Sequence, residues 1–156
     1  AQAGKMLARL AGGEPIEWGP LLVKDHRIFI QGRPMIYDSM EFHRPDPDED
    51  CRDFERDGWW RVKTRNGWKK MWGSKLVQNI CEGVETVIAA EAMARLKHLG
   101  YRTLNWPYDE LLLLIPNDGR IEEHKQIILQ EMQRDVPWLP GLPLQAEITI
   151  AERYSK

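Results

Sequence analysis

The sequence predicts an α+β fold, an antiparallel sheet with helices packed on one face, and three observations predict it. Alternating apolar runs broken by glycine and proline fill residues 16–42. Apolar residues at helical spacing then run without interruption from Lys75 to Leu99. Short strand-like runs return afterwards, on both sides of a second amphipathic stretch at residues 120–134. Hairpins, long helix, hairpin, helix and strand, in that order, describe an α+β layer with an N-terminal β-hairpin region. At 156 residues the chain is the size of one ordinary domain, and residues 1–156 are expected to form a single one.

The elements follow in order. Met6, Leu7 and Leu10 lie at helical spacing within "AGKMLARLA", and Gly12-Gly13 ends that segment, which reads as the tail of a helix begun elsewhere. "IEWGPLLVK" and "RIFIQGRPMIYDSMEF" alternate as strands do, with Gly32 and Pro34 as turn signals, and are expected to form hairpins. Residues 44–57, "RPDPDEDCRDFERD", hold two prolines and seven acidic residues and are expected to be an acidic surface loop that buries nothing.

The charge then changes sign. "GWWRVKTRNGWKKMWGSK" interleaves Arg61, Lys63, Arg65, Lys69, Lys70 and Lys75 with Trp59, Trp60, Trp68 and Trp72, and Asn66-Gly67 in its middle is a hairpin turn signal. Alternation across that turn predicts aromatics and cations on opposite faces of a ribbon. Two uses fit such a ribbon: phosphate contact by Lys69, Lys70 and their neighbours, or an ordinary amphipathic hairpin with a charged outer face.

In the long helix, Leu76, Ile80, Val84 and Ile88 repeat every four residues, and Val77, Cys81, Val87, Leu96 and Leu99 widen the stripe. Ser74 is the expected N-cap and Gly100 the expected residue just past the C-terminal end. A helix of that span is roughly 37 Å long at about 1.5 Å per residue. Gly83 inside it costs about 1 kcal/mol relative to alanine, a cost that is tolerable if something large lies against it. After the helix, "YRTLNWP" and "ELLLLIP" read as two strands joined tightly through Pro107, Tyr108 and Asp109. Pro116-Asn117-Asp118-Gly119 is a turn, the second helix bears Ile121, Ile127, Ile128 and Met132, and "PWLPGLP" is irregular. "LQAEITIAERY", with Leu144, Ala146, Ile148 and Ile150 alternating, closes the chain as a strand.

Composition narrows the function classes. The 22 basic against 24 acidic residues exclude a grossly basic nucleic-acid tail but say nothing of local patches. Cys51 and Cys81 form neither a disulfide framework nor a zinc-finger spacing and are expected to be reduced thiols in a cytoplasmic setting. His26, His43, His98 and His124 share no ligand spacing on one helix face. No signal peptide and no apolar run near about 18 residues is present, so no membrane is expected as a partner.

The chemistry-bearing stretch is "NWPYDELLLLIP", residues 105–116, where Asp109 and Glu110 stand side by side in front of an apolar run. Adjacent carboxylates repel, and burial raises both pKa values unless a cation compensates. Three readings compete: a solvated hairpin tip, a general acid–base pair, and a divalent-metal ligand with Asp109 as the first oxygen donor. Acid–base work commonly needs two groups spaced across a bond, whereas neighbours on a strand point to opposite faces. Carboxylate oxygens suit magnesium, which commonly takes one or two of them together with substrate phosphates.

The combination of "WGSKLVQNI" opening the long helix, "LKHLGYRTLNWPYDELLLLIP" and the ending "PWLPGLPLQAEITIAERY" resembles the C-terminal part of the palm of family A DNA polymerases, especially bacteriophage ones. It covers roughly residues 16–156, weakly before residue 68 and strongly after it. The resemblance implies DNA-directed nucleotidyl transfer with two Mg2+ ions, on primer–template DNA and a deoxynucleoside triphosphate, in the cytoplasm of a host cell if the source is viral. Asp109 matches the metal-binding aspartate of the family's last catalytic motif, and Glu110 its acidic neighbour. The long helix matches the palm helix along the primer–template minor groove, so Lys75, Gln78 and Asn79 are candidate DNA contacts.

There are departures. Tyr108 stands where the family usually has histidine near the primer terminus, Glu82 where phage relatives usually have glutamine, and Thr86 where they usually have arginine. An added anion and a lost cation both weaken phosphate contact. The family's other catalytic aspartate and its nucleotide-holding helix belong upstream of everything in this chain. The two-metal site is therefore incomplete here, and an upstream segment or separate chain is the expected partner. The alternative is a non-catalytic polymerase-derived module that binds DNA or a protein through the Trp-rich hairpin.

Overall fold

In the computed structural model, residues 2–12, 15–107 and 109–153 are described, and the architecture is α+β with antiparallel pairing throughout. The order is α1 (Gln2–Gly12), β1 (Ile16–Trp18), β2 (Leu21–Lys24), β3 (Arg27–Ile30), β4 (Arg33–Ile36), β5 (Met40–His43), a short 3-10 turn (Asp53–Glu55), β6 (Trp59–Thr64), β7 (Gly67–Met71), α2 (Gly73–His98), β8 (Arg102–Asn105), β9 (Leu112–Leu114) and α3 (Ile121–Met132). The strands form three sheets, ordered β1-β2-β3-β4, β5-β6-β7 and β8-β9. The chain divides into two compact units, residues 1–84 and 85–156, with the boundary inside α2.

In the first unit, β2 and β3 alternate in burial, and pairing of Leu21 with Ile30 and Val23 with Ile28 sets four buried side chains on one face. Two-residue turns join these strands. Asp25-His26, both at positive φ, link β2 to β3, and Gln31-Gly32 link β3 to β4. Pro34 falls on β4, where only one neighbour pairs, so its missing N–H is tolerated. Leu10, Val23, Ile28, Ile30 and Leu76 are the almost wholly buried centre of this unit. The Nδ1 of His26 lies 3.0 Å from the Leu10 carbonyl near the end of α1.

The first half of α2 meets this unit at Gly83. A Cβ placed there would lie 2.8 Å from both the Ile30 Cδ1 and the Met35 sulfur, which is the large neighbour a mid-helix glycine calls for. Two expectations for α2 need correction. Ser74 is not the N-cap: the helix starts at Gly73, and the Leu76 N–H donates to the Trp72 carbonyl. The four-residue repeat is not the buried stripe either. Each step of four turns the helix about 40° past a full circle, so Ile88 lies about 120° around from Leu76. The buried positions are Leu76, Ile80, Val87, Ala92 and Leu96, while Val77, Cys81 and Leu99 are exposed. Gly100 sits past the end as expected, with its N–H donating to Lys97 and that of Tyr101 to Leu96, the paired bonds of a Schellman stop.

In the second unit, Leu96, Tyr101 and Ile128 form the core, with Leu113, Ile115, Ile127, Met132 and Ile148 partly buried around them. Arg95 ties α2 to α3, its guanidinium donating to the Glu131 carboxylate and backbone carbonyl, both at 2.8 Å. The Trp138 indole N–H donates to the Glu91 carboxylate at 3.2 Å. Among the described residues the expected final strand does not form. Residues 144–148 alternate in burial, with Leu144, Ala146 and Ile148 half-buried and Gln145 and Glu147 exposed, but Ile150 is exposed where the pattern expects it inward, and the segment joins no ladder. Over residues 144–148 the side chains follow a strand's period, while among the described residues the backbone makes no backbone–backbone hydrogen bond; the Ala146 carbonyl instead accepts the Gln133 side-chain amide at 3.4 Å. No helix among the described residues is long and apolar enough to cross a membrane.

Candidate functional site

The acid pair lies in the connection between β8 and β9, which is longer than the tight hairpin expected. Asn105 pairs with Leu112, so residues 106–111 form the loop. The Asn105 side chain accepts the Trp106 N–H at 2.8 Å, and the Glu110 N–H donates to the Pro107 carbonyl at 3.1 Å, which folds the loop back on itself. Asp109 and Glu110 are both exposed. The strand behind them is only half-buried, with Leu114 49% exposed. The awkwardness of two carboxylates before an apolar run is thereby resolved: both remain in water, where mutual repulsion at close range is weak. Tyr108 lies outside the described residues. Among those described, no group of three or more histidine, cysteine or acidic side chains is placed to hold a metal ion. Both cysteines are free thiols.

The candidate DNA contacts of α2 separate into two groups. Lys75, Gln78 and Glu82 share one exposed face: the Lys75 ammonium donates to the Gln78 carbonyl oxygen at 3.1 Å, and the Gln78 amide donates to Glu82 at 2.8 Å. Asn79 faces elsewhere. Its amide donates to the Tyr37 hydroxyl at 3.2 Å, and burial pushes the Tyr37 phenol above its usual range, the Asn79 bond opposing that shift.

The Trp-rich hairpin forms, with Arg65-Asn66 as its turn and Gly67, at φ +96, already paired with Thr64 as the first residue of β7, but aromatics and cations are not segregated. Arg61 pairs with Lys70 and Lys63 with Trp68, so Trp59, Arg61, Lys63, Trp68 and Lys70 occupy one face of β6-β7. There the Arg61 guanidinium lies 4.6 Å from the Trp68 ring centre, and the Lys70 ammonium 4.0 Å from that of Trp59. In sequence the tryptophans and cations fall at mixed parities on the two strands, so pairing brings them together. Lys69 lies on the opposite face of β7, exposed.

The acidic loop is also less detached than its composition predicts. Glu55 is 6% exposed and lies 2.8 Å from Lys70, and its second oxygen accepts the Arg52 N–H at 3.1 Å. These bonds, that of Lys70 first, hold its carboxyl below the usual range. Arg61 likewise donates to Glu41 at 2.8 Å. Lys70 is thus engaged on two sides, by an acid and a ring.

One constellation was not foreseen. The Tyr101 hydroxyl lies 2.8 Å from the His124 Nδ1, and the His124 Nε2 lies 3.3 Å from Asp118, whose carboxylate also accepts the Arg120 guanidinium at 2.7 Å. Tyr101 and His124 are buried. The only sequence signal was the Pro116–Gly119 turn just ahead of a helix carrying a histidine in its first turns. The Arg120 bonds hold the Asp118 carboxyl well below its ordinary 3.8, at about 2. A depressed acid stabilises the fold above its unfolded pKa and loses that contribution as pH falls through the folded value. An acid titration followed by circular dichroism is therefore expected to show stability falling between about pH 4 and pH 2, a slope that Asp118→Asn reduces in that window. An unchanged slope in the variant rejects this role.

No family model matches the chain, and no solved structure matches it. Over 98 residues, 63% of its length, the chain is 30% identical to the DNA polymerase of Bacillus phage SP02. That stretch is 14% of the phage protein, so the chain spans a small part of the relative it matches. It is related in sequence to part of a phage DNA polymerase, within an α+β fold whose long helix precedes an exposed acidic turn.

Proposed function

We propose that this chain is the C-terminal palm segment of a bacteriophage-type family A DNA polymerase, inactive alone and completed by an upstream segment or a separate chain. The observation that carries the reading is the exposed pair Asp109-Glu110 between two antiparallel strands, in a chain similar to a phage DNA polymerase. The donor chemistry fits magnesium, since both groups are hard oxygen ligands held in solvent on a short turn.

Asp109 holds the metal and Glu110 adds negative potential beside it. When bound, Mg2+ supplies the charge that stabilises in-line displacement at the nucleotide phosphate. One metal-binding aspartate does not build a two-metal site, hence the need for a partner. Lys75 meets the primer–template backbone, and Gln78, held by Glu82, offers its amide on the same face. Glu82 repels phosphate at that position, so this face contributes orientation more than affinity.

The test is a chimera in which this chain replaces the matching stretch of the Bacillus phage SP02 polymerase. Primer extension is expected, and Asp109→Asn is expected to lower it by about a thousandfold or more, since a lost metal contact removes several kcal/mol of charge stabilisation. Binding of primer–template, read by fluorescence anisotropy, is expected to change little. Extension that survives Asp109→Asn removes the catalytic assignment, and a chimera that binds DNA without extending it removes the polymerase reading.

A further inference from the structure

The sheet β5-β6-β7 presents two faces of opposite character. Met40, Val62 and Met71 share one face by register and are buried. The other face carries three successive cross-strand rows: His43 with Trp59, then Glu41 with Arg61 and Lys70, then Lys63 with Trp68. All of these residues lie in the first unit. On this second face Trp59 alone is buried, at 9% exposure, while the others are exposed or half-buried and Trp68 is 39% exposed.

The groups against Trp59 are held there by the acidic loop. The His43 ring centre lies 4.7 Å from that of Trp59, and the Lys70 ammonium lies 4.0 Å from the same ring. The His43 Nε2 is in turn 3.0 Å from the Glu49 carboxylate, and Lys70 is 2.8 Å from that of Glu55. Glu49 and Glu55 belong to residues 44–57, the segment of seven acids that joins β5 to β6. The bond from His43 holds the Glu49 carboxyl below its usual range, and that from Lys70 does the same for Glu55, so both are charged at neutral pH.

Each part of the face has a counterpart in a nucleic-acid strand. Tryptophan rings stack bases whatever their sequence, and the cations set between the rings neutralise phosphates. The rows of Trp59 and Lys63 are four residues apart on β6, about 13 Å, a length that a few nucleotides span. Bases in a duplex are already stacked on one another, so only an unpaired strand offers them to the rings. The carboxylates on Arg61 and Lys70, from Glu41 and Glu55, stand where phosphates would.

We propose that this face binds single-stranded DNA and that residues 44–57 are its built-in competitor, with Glu55 in a phosphate position and Glu49 beside it until a strand displaces them. Displacement frees Lys70 for phosphate and uncovers Trp59, so the site gains a second ring as the loop leaves. The loop is joined directly to both strands and competes at high effective concentration, so a ligand must add stacking to charge in order to replace it. An acidic polypeptide supplies charge alone. Asp109 and Glu110 take no part, so the binding is independent of the polymerase reading.

The test is fluorescence anisotropy of a labelled oligothymidylate of about twelve nucleotides, titrated with the full chain at low salt. Glu49→Gln with Glu55→Gln keeps the shape of both side chains and removes their charge, and is expected to tighten binding about tenfold. Asp46→Asn with Asp48→Asn removes the same charge from exposed positions of the same loop, and is expected to change affinity by less than about threefold. Trp68→Ala is expected to weaken binding about tenfold through one lost stacking contact. Trp68 is exposed, so this variant is decisive even where the glutamate pair loosens the fold. A duplex of the same length and a polyglutamate of the same charge are expected to bind about tenfold more weakly or worse. Four results overturn the proposal: no tightening in the glutamate pair, equal tightening in the aspartate pair, unchanged binding in Trp68→Ala, or duplex or polyglutamate bound as tightly as the single strand. The last of these with polyglutamate assigns the face to an acidic polypeptide. None of the readouts involves primer extension, so a failed stacking face and a failed polymerase reading are told apart.

Discussion

Leu96→Ala is expected to lower stability by about 3 kcal/mol, within the 2–5 kcal/mol typical of a buried leucine truncated to alanine. Leu96 is fully buried and stands with Tyr101 and Ile128 at the centre of the second unit. The surrounding Leu111, Leu113, Ile115, Ile127 and Met132 are only partly buried, so they can move inward and fill some of the space. That relaxation keeps the cost below the top of the range. The remainder is not recovered, because few side chains of this unit are fully withdrawn from water. Urea unfolding reads the effect: at a slope of about 1–3 kcal/mol/M the midpoint falls by about 1 M or more. Leu99→Ala is the comparison. Leu99 lies three residues further along the chain, just past the end of α2, and is 55% exposed, so its truncation is expected to cost no more than about 0.5 kcal/mol. Equal losses at both positions would show that the core does not centre on Leu96.

What the sequence made legible is whatever short-range chemistry decides. The Schellman stop at Gly100 and the hairpin at Gly67 each follow from a glycine at positive φ; the stop is where the pattern placed it, while the hairpin's loop lies one residue earlier than expected, at Arg65-Asn66. The long helix was legible because 26 residues leave no room for another period. Its buried face was less so, because a four-residue repeat tracks a helix only briefly before drifting off the stripe. Ser74 offered a capping side chain, but the chain turns into the helix one residue sooner. The face of the Trp-rich hairpin depended on cross-strand register, which joins residues up to eleven apart and is invisible in either strand alone. The strand pattern after residue 144 was read correctly as a period only as far as Ile148, with Ile150 exposed, and wrongly as a strand, since a ladder needs a neighbour and a period does not.

The candidate site divides in the same way. Asp109 and Glu110 were singled out because two acids before an apolar run are conspicuous in one dimension, and their exposure follows from the loop being longer than the tightest turn. The Tyr101–His124–Asp118–Arg120 cluster was not found, because its members come from the end of one helix, a turn and the start of another. Only folding brings them within hydrogen-bonding distance. Asn79, a candidate DNA contact through the resemblance of the long helix, donates its amide to Tyr37, a partner 42 residues away that no sequence pattern pointed to.

Gly58→Ala is expected to cost more than about 3 kcal/mol, because two separate penalties fall on one methyl group. Gly58 has φ +97, a conformation that costs a side-chain-bearing residue about 1–3 kcal/mol. A Cβ there would also lie 2.6 Å from the His43 carbonyl oxygen and 2.7 Å from the Phe42 ring. The ring can rotate away, but the carbonyl belongs to β5, whose His43 is paired with Trp59 immediately after the glycine. Moving that oxygen pulls on the β5-β6 register. It also disturbs the short turn at Asp53–Glu55, where the Gly58 N–H donates to the Glu55 carbonyl at 2.9 Å. The Glu55–Lys70 ion pair then loosens, and with it the contact of Lys70 with the Trp59 ring. Gly32→Ala separates the two penalties, since Gly32 has φ +77 but nothing within 4 Å of its added Cβ. It is expected to lose about 1 kcal/mol from conformation alone. The difference between the two variants in urea unfolding is therefore the cost of the close approach to His43. If both lose the same amount, the carbonyl yields freely and the β5-β6 edge is not the rigid wall that this geometry describes.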